Sequence, residues 1–83
     1  MPAHYHYVYL LVSEQNPNTH YTGITTDLAE RLKRHNEGRV PHTAKARPWR
    51  IETCVAFSNK TKAIAFEAYL KSGSGREFAR RHL

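Results

Sequence analysis

Ser13-Glu14-Gln15-Asn16-Pro17-Asn18 is an unbroken run of turn formers between two stretches whose residue types suit extended chain. Tyr5 to Val12 is rich in aromatic and β-branched residues, and His20 to Thr25 is a second such stretch. Together they read as a β-hairpin, which commits the first part of the chain to antiparallel sheet. Tyr7 and Tyr9 alternate with Val8, so both phenols share one face of the first strand, and Tyr21 on the paired strand lies close by. Packing of aromatic rings across the strands, with hydroxyls at the surface, is the ordinary use of such residues.

The remaining elements follow from caps and period. Asp27, with Glu30 three residues on, opens a helical pattern of about three turns that runs to Gly38. Arg39 to Arg50 carries four cations, two prolines and no acid, which predicts a basic loop. Ile51 to Phe57 supplies a third strand, with Cys54 as a small buried hydrophobe in it. Ser58-Asn59 can cap a helix from Lys60 to about Ser72, and Gly73-Ser74-Gly75 breaks it before a short basic helix, Arg76 to His82. The order β-β-α-β-α-α predicts an α+β fold, a three-stranded mainly antiparallel sheet flanked by helices, as a single domain over residues 1–83.

A chain of 83 residues has room for one core. Lys and Arg number 13 against 7 Asp and Glu, a net charge of +6, which favours a polyanionic partner such as nucleic acid or an acidic membrane surface. No run approaches the ~20 apolar residues of a membrane span, and the start lacks a signal-peptide pattern, so a cytoplasmic location is expected. The single cysteine excludes an internal disulfide and a cysteine-based zinc cluster within one chain. His4 and His6 have same-face spacing but read as exposed strand-edge histidines.

Two helical stripes carry residues that do not belong on them. Leu28, Arg31, Leu32 and His35 fall on one face of the first helix, while Glu30, Lys33 and Arg34 point away. On the second, Ala63, Ile64, Glu67 and Leu70 share a face. Arg31 and His35 can snorkel from the stripe edge, and Glu67 can form an ordinary ion pair with Lys71. A lone carboxylate can equally hold Mg²⁺ with waters and a substrate phosphate.

These residues resemble those of the GIY-YIG endonucleases over nearly the whole chain. Tyr7-Val8-Tyr9 stands where the family has its first motif and Tyr21-Thr22-Gly23 where it has its second, continued by Ile24-Thr25. Arg31 matches the arginine ten residues after the second motif's tyrosine, His35 the histidine or tyrosine four further on, and Glu67 the metal-binding glutamate. Pro48-Trp49 and the run Glu67 to Gly73 are similar to the small stand-alone bacterial members. Three positions depart from the pattern. Tyr7 replaces the leading glycine of the first motif. Ile24 stands where the related incision subunit of nucleotide excision repair has a lysine, and Ala79 lies near an asparagine of some members.

The resemblance implies a phosphodiester hydrolase, acting on DNA in preference to RNA, in repair or recombination. Catalytic Tyr9, Tyr21, Arg31, His35 and Glu67 are implied, with Mg²⁺ or Mn²⁺ on Glu67; any of Tyr9, Tyr21 and His35 can serve as general base. Binding of nucleic acid would fall to Arg39, Lys45, Arg47 and Arg50 of the loop and to Lys71, Arg76, Arg80 and Arg81 near the end, since phosphate contacts supply affinity without base information. Trp49 reads as a core or loop anchor before a stacking platform. Gly73-Ser74-Gly75-Arg76 is either a phosphate cradle or a simple turn. With no separate recognition domain, selectivity would come from DNA shape or a protein partner. A non-catalytic DNA- or RNA-binding module on the same scaffold is the alternative, and the oligomeric state is left open.

Overall fold

Ser13 closes the hairpin with its side chain as well as its backbone. In the computed structural model, which describes residues 4–83, its hydroxyl accepts from the N–H groups of Gln15 (3.2 Å) and Asn16 (3.1 Å) and donates to the Ala46 carbonyl (2.6 Å). The turn is thereby tied to the loop that follows the first helix. Strand β1 spans His6–Ser13 and β2 spans His20–Thr25. They pair antiparallel with Tyr9 opposite Gly23 and Leu11 opposite Tyr21.

Asp27 caps helix α1, Leu28–Asn36, by accepting from the Glu30 N–H. Just past the helix end and its cap residue Glu37 stands Gly38, whose φ of 77° is a left-handed conformation that favours glycine. The basic segment is less irregular than its composition predicts. It holds a short 3₁₀ turn, Ala44–Ala46, and its last residues, Trp49 and Arg50, already belong to strand β3, Trp49–Phe57. Trp49 starts the strand two residues before the expected Ile51 because Asn36 pins it: Asn36 Oδ1 accepts from the Trp49 N–H (2.6 Å) and Asn36 Nδ2 donates to the Trp49 carbonyl (3.0 Å). Trp49 is buried, with Nε1 donating to the Thr43 carbonyl at 2.8 Å. It is an anchor, as expected.

The sheet order is β2-β1-β3, all antiparallel, so β1 is central. Helix α2, Lys60–Leu70, is capped by Asn59, and α3, Gly73–His82, by Ser72, whose hydroxyl accepts from the Gly75 N–H. The expected helix break at Gly73-Ser74-Gly75 is therefore the first turn of α3. Serine capping outweighs the low helix propensity of two glycines here, and Ser72 lies between the helices.

Two cores lie on opposite faces of the sheet. Val8 and Leu10 pack with Ala63 and Leu70 of α2, joined by Phe57, Phe66 and Phe78. Tyr9, Leu11 and Trp49 pack on the other side with Leu28 and Leu32 of α1. Burial of each large apolar side chain contributes roughly 1.5–3 kcal/mol. A β-bulge opposite Leu10 and Leu11 changes which face β3 addresses, so Trp49 and Ile51 join the α1 side while Phe57 joins the α2 side. The expectation of a buried Cys54 is corrected: it lies opposite Tyr9 on an edge strand, on the alternating exposed side with Glu52 and Ala56. On α2 Phe66 turns inward with Ala63 and Leu70; Ile64, expected on that face, is 49% exposed.

Gly75 sits where α3 meets the end of α2. A methyl group there would overlap the Tyr69 carbonyl and come within 2.7 Å of the Leu70 Cα, all backbone atoms that cannot swing aside. Gly75→Ala is expected to cost roughly 1–3 kcal/mol. At about 4–8 °C per kcal/mol for a domain of this size, a thermal melt will show it, whereas an unchanged midpoint would mean the helices separate freely.

Candidate active site

Register and twist bring the two motif tyrosines together. Because Tyr9 faces Gly23 and Tyr21 faces Leu11, the two phenols are diagonal neighbours on the α1 side, with ring centroids 6.5 Å apart. The Tyr9 ring end lies over Gly23, where any Cβ would overlap its hydroxyl. Gly23 is thus the space in which the Tyr9 side chain rests.

Helix α1 delivers Arg31 and His35 to these phenols, since Leu28 and Leu32 hold its inner face on the Tyr9–Leu11–Trp49 core. His35 is fully buried and Tyr9 is 1% exposed. The Tyr9 hydroxyl lies 3.0 Å from His35 Nε2, and His35 Nδ1 lies 2.7 Å from the Thr43 hydroxyl. Tyr21 covers the same imidazole with ring centroids 4.9 Å apart, and is half-buried. Arg31 Nη1 reaches the Ile24 carbonyl at 3.5 Å, while its buried Nε has no partner within the described residues. A guanidinium held with a donor unsatisfied is suited to an acceptor that arrives with a ligand.

The electrostatics follow from burial. Removal from water pushes the Tyr9 phenol above its ordinary value, against the lowering effect of Arg31, with the Tyr21 and Glu67 charges adding to the rise. Burial and then the Arg31 charge push the His35 imidazole below its ordinary value. Both groups are therefore neutral at pH 7, a phenol beside a free base.

Glu67 approaches from α2, in the other helix layer. Its side chain is 20% exposed and meets Lys71 Nζ at 2.9 Å, and that ammonium stands 6.0 Å from the centroid of the Tyr21 ring. The expected i,i+4 ion pair is present, and the Glu67 charge is also felt at Tyr9. Among the described residues no three His, Cys, Asp or Glu side chains gather to hold a metal ion.

The structure divides the candidate phosphate-binding cations. Lys71, Arg76 and Arg80 line a cavity of about 690 Å³, floored by Leu10 and Leu70, that touches Tyr21. Arg80 and Arg81 both engage Glu77, and Arg39 pairs with Glu37 at 3.4 Å. Lys45, Arg47 and Arg50 are exposed on the loop and the start of β3, with Arg47 Nε donating to the Ala44 carbonyl. No helix among the described residues is long and apolar enough to cross a membrane. Thr43 and Asn36 escaped the sequence reading. A lone threonine in a basic loop has no period or motif to mark it, and Asn36 looks like an ordinary polar residue at a helix end.

Comparison with known proteins gives a consistent family. The GIY-YIG catalytic domain profile matches residues 5–80. UPF0213 protein BH0048 of Halalkalibacterium halodurans is 37% identical over 73 residues, covering 87% of this chain and 76% of that protein. Structure-specific endonuclease subunit SLX1 of Scheffersomyces stipitis is 42% identical over 67 residues, covering 72% of this chain but 20% of that larger protein. The solution NMR structure of UPF0213 protein BH0048 superposes with a TM-score of 0.55 at 34% identity, covering 92% of this chain and 80% of that one.

Proposed function

The chain belongs to the GIY-YIG nuclease family, and from that premise we propose that it is a divalent-metal-dependent endonuclease cutting DNA in preference to RNA, by shape rather than sequence. The observation that supports this most is the Tyr9–His35 pair, a 3.0 Å hydrogen bond between neutral groups in a buried site flanked by Arg31. A phenol stacked in a core needs none of these neighbours. A reaction that must take a proton from water and tolerate extra negative charge needs all of them.

Releasing a phenol proton to bulk water at pH 7 costs about 4 kcal/mol from a pKa of ~10, and burial makes Tyr9 worse still. The cost is avoided when Tyr9 takes the proton of the attacking water while passing its own to His35 Nε2. Attack forms one phosphorus–oxygen bond and breaks another. Arg31 offsets the charge that accumulates on the five-coordinate phosphorus, its planar fork suiting phosphate oxygens. Tyr21, the more exposed phenol, and Lys71 hold the phosphate on the solvent side.

Glu67 would hold Mg²⁺ or Mn²⁺. A single carboxylate fits such an ion, which keeps several waters and takes substrate phosphate as a further ligand, and does not fit a protein-caged zinc. When bound, the ion supplies Lewis-acid polarisation of the phosphate and a counter-charge for the leaving oxygen. Lys71, Arg76 and Arg80 supply electrostatic affinity for the strand, with Arg39, Lys45, Arg47, Arg50 and Arg81 as further phosphate contacts. Selection of flapped or branched DNA, in repair or recombination, is supported by the likeness to an SLX1 named as the subunit of a structure-specific endonuclease. That name also supports a protein partner for targeting.

The test incubates purified wild type and Arg31→Ala with labelled single-stranded, duplex, flap and branched DNA and matched RNA, with Mg²⁺, Mn²⁺ or chelator. Metal-dependent cutting of branched or flapped DNA by the wild type, lost in a folded Arg31→Ala, is expected. Salt-sensitive binding with no cleavage would favour a non-catalytic module, and equal cleavage by both proteins would place the activity elsewhere.

A further inference from the structure

The groups at both ends of the hydrogen bonds around His35 favour one direction for them. At one end stands the Arg31 guanidinium, whose charge bears on the Tyr9 phenol and which can only donate, so it cannot take the Tyr9 proton. The Tyr9 proton must then find an acceptor elsewhere, and His35 Nε2 at 3.0 Å is in place. At the other end the Thr43 hydroxyl donates to the Val40 carbonyl at 3.3 Å, and a carbonyl can only accept. A hydroxyl has one proton. With that proton given to Val40, Thr43 must accept from His35 Nδ1, 2.7 Å away. The opposite polarity would leave the proton of Tyr9, a residue 1% exposed, without His35 as its acceptor and beside a guanidinium that cannot take it, an arrangement that carries a desolvation cost.

We propose that Thr43 is a positioning residue that fixes His35 as the Nδ1–H tautomer and so keeps Nε2 free to receive the Tyr9 proton. The proposal rests on the reading of Tyr9 and His35 as the proton-transfer pair, but its structural half is measurable without any cleavage. Thr43 suits the role because it is 1% exposed, so no water competes for its oxygen. Its backbone is held as well: the Thr43 N–H donates to the same Val40 carbonyl at 3.1 Å, and its own carbonyl accepts from the Trp49 indole. The loop is thereby fixed both to its own turn and to the core beneath the site. Since the imidazole is reached through Nδ1 and not through the reacting atoms, Thr43 acts on His35 alone.

The experiment records ¹⁵N–¹H correlations of the imidazole rings in wild type, Thr43→Ser and Thr43→Val, alongside cleavage kinetics on whichever DNA the wild type cuts. Wild type and Thr43→Ser are expected to show a protonated Nδ1 and a bare Nε2 at His35. Thr43→Val, close in shape but without an acceptor, is expected to shift His35 toward the Nε2–H form and to lower kcat by about 10–100-fold with KM unchanged. Serine should restore both. A wild-type His35 protonated at Nε2 would overturn the proposal, as would a Thr43→Val protein with unchanged tautomer and rate. If valine prevents folding, the wild-type and Thr43→Ser spectra still decide. Absence of cleavage in every protein would count against the nuclease reading and leave the tautomer result standing by itself.

Discussion

Glu67→Gln is expected to lose metal-stimulated cleavage by at least about a thousandfold while remaining folded. The two effects separate because the residue has two relationships. Its ion pair with Lys71 joins side chains that are 20% and 50% exposed, one turn apart on α2. Such a pair contributes only about 0.2–0.5 kcal/mol, equivalent to roughly 1–4 °C in Tm for a domain of this size. The carboxylate charge, by contrast, is what a divalent ion would require, and an amide of the same shape cannot supply it. Lys71→Gln is the control: it breaks the same pair and should reproduce the small stability loss while leaving metal-dependent cleavage in place at raised KM. Should Glu67→Gln cut DNA as well as the wild type, Glu67 would be no more than the surface partner of Lys71.

Gly23→Ala is expected to lower the cleavage rate far more than its loss of stability would. The added carbon would overlap the Tyr9 hydroxyl, fall 2.5 Å from Cζ and lie 2.9 Å from Cε1. Relief requires the Tyr9 ring to move, and that ring is packed with Leu11 and Trp49 in a core. Overpacking of this kind costs roughly 1–3 kcal/mol. The functional cost is larger, because the ring end that must move carries the oxygen bonded to His35, and a displacement of about 1 Å can lower a rate 100-fold. Cleavage rates for Gly23→Ala, Tyr9→Phe and the double variant check the cause. If the methyl group acts through Tyr9, the double variant should be no slower than Tyr9→Phe alone. A Gly23→Ala enzyme with wild-type rates would show that the Tyr9 hydroxyl position is immaterial.

The fold was legible where local chemistry and tertiary packing agree. Asp27, Asn59 and the Ser13–Asn18 turn each act through neighbours a few residues away, so their effects could be read directly from order. Misplaced residues trace to long-range causes. Cys54 is exposed with Arg50, Glu52 and Ala56, the alternate residues of an edge strand, and the bulge at Glu52, which sends Ile51 and Phe57 to different cores, leaves no mark in the Ile51–Phe57 pattern. The inward turn of Phe66 in place of Ile64 depends on the phenyl cluster with Phe57 and Phe78, which exists only once α3 has folded back. Of the candidate site, the polar intruders Arg31, His35 and Glu67 were visible because they interrupt an apolar period. Thr43 was not, because its importance comes from touching a histidine eight positions away through a loop with no repeat of its own.

Strand β1 belongs to both cores at once, with Val8 and Leu10 in one and Tyr9 and Leu11 in the other. A fluctuation that frees it must empty both layers together, so the reacting phenol has no private opening motion and its amide should exchange only when the whole domain unfolds. Preorganisation here is inherited from global thermodynamic stability: conditions that weaken either layer erode the fraction of competent molecules, and the survivors keep their full turnover.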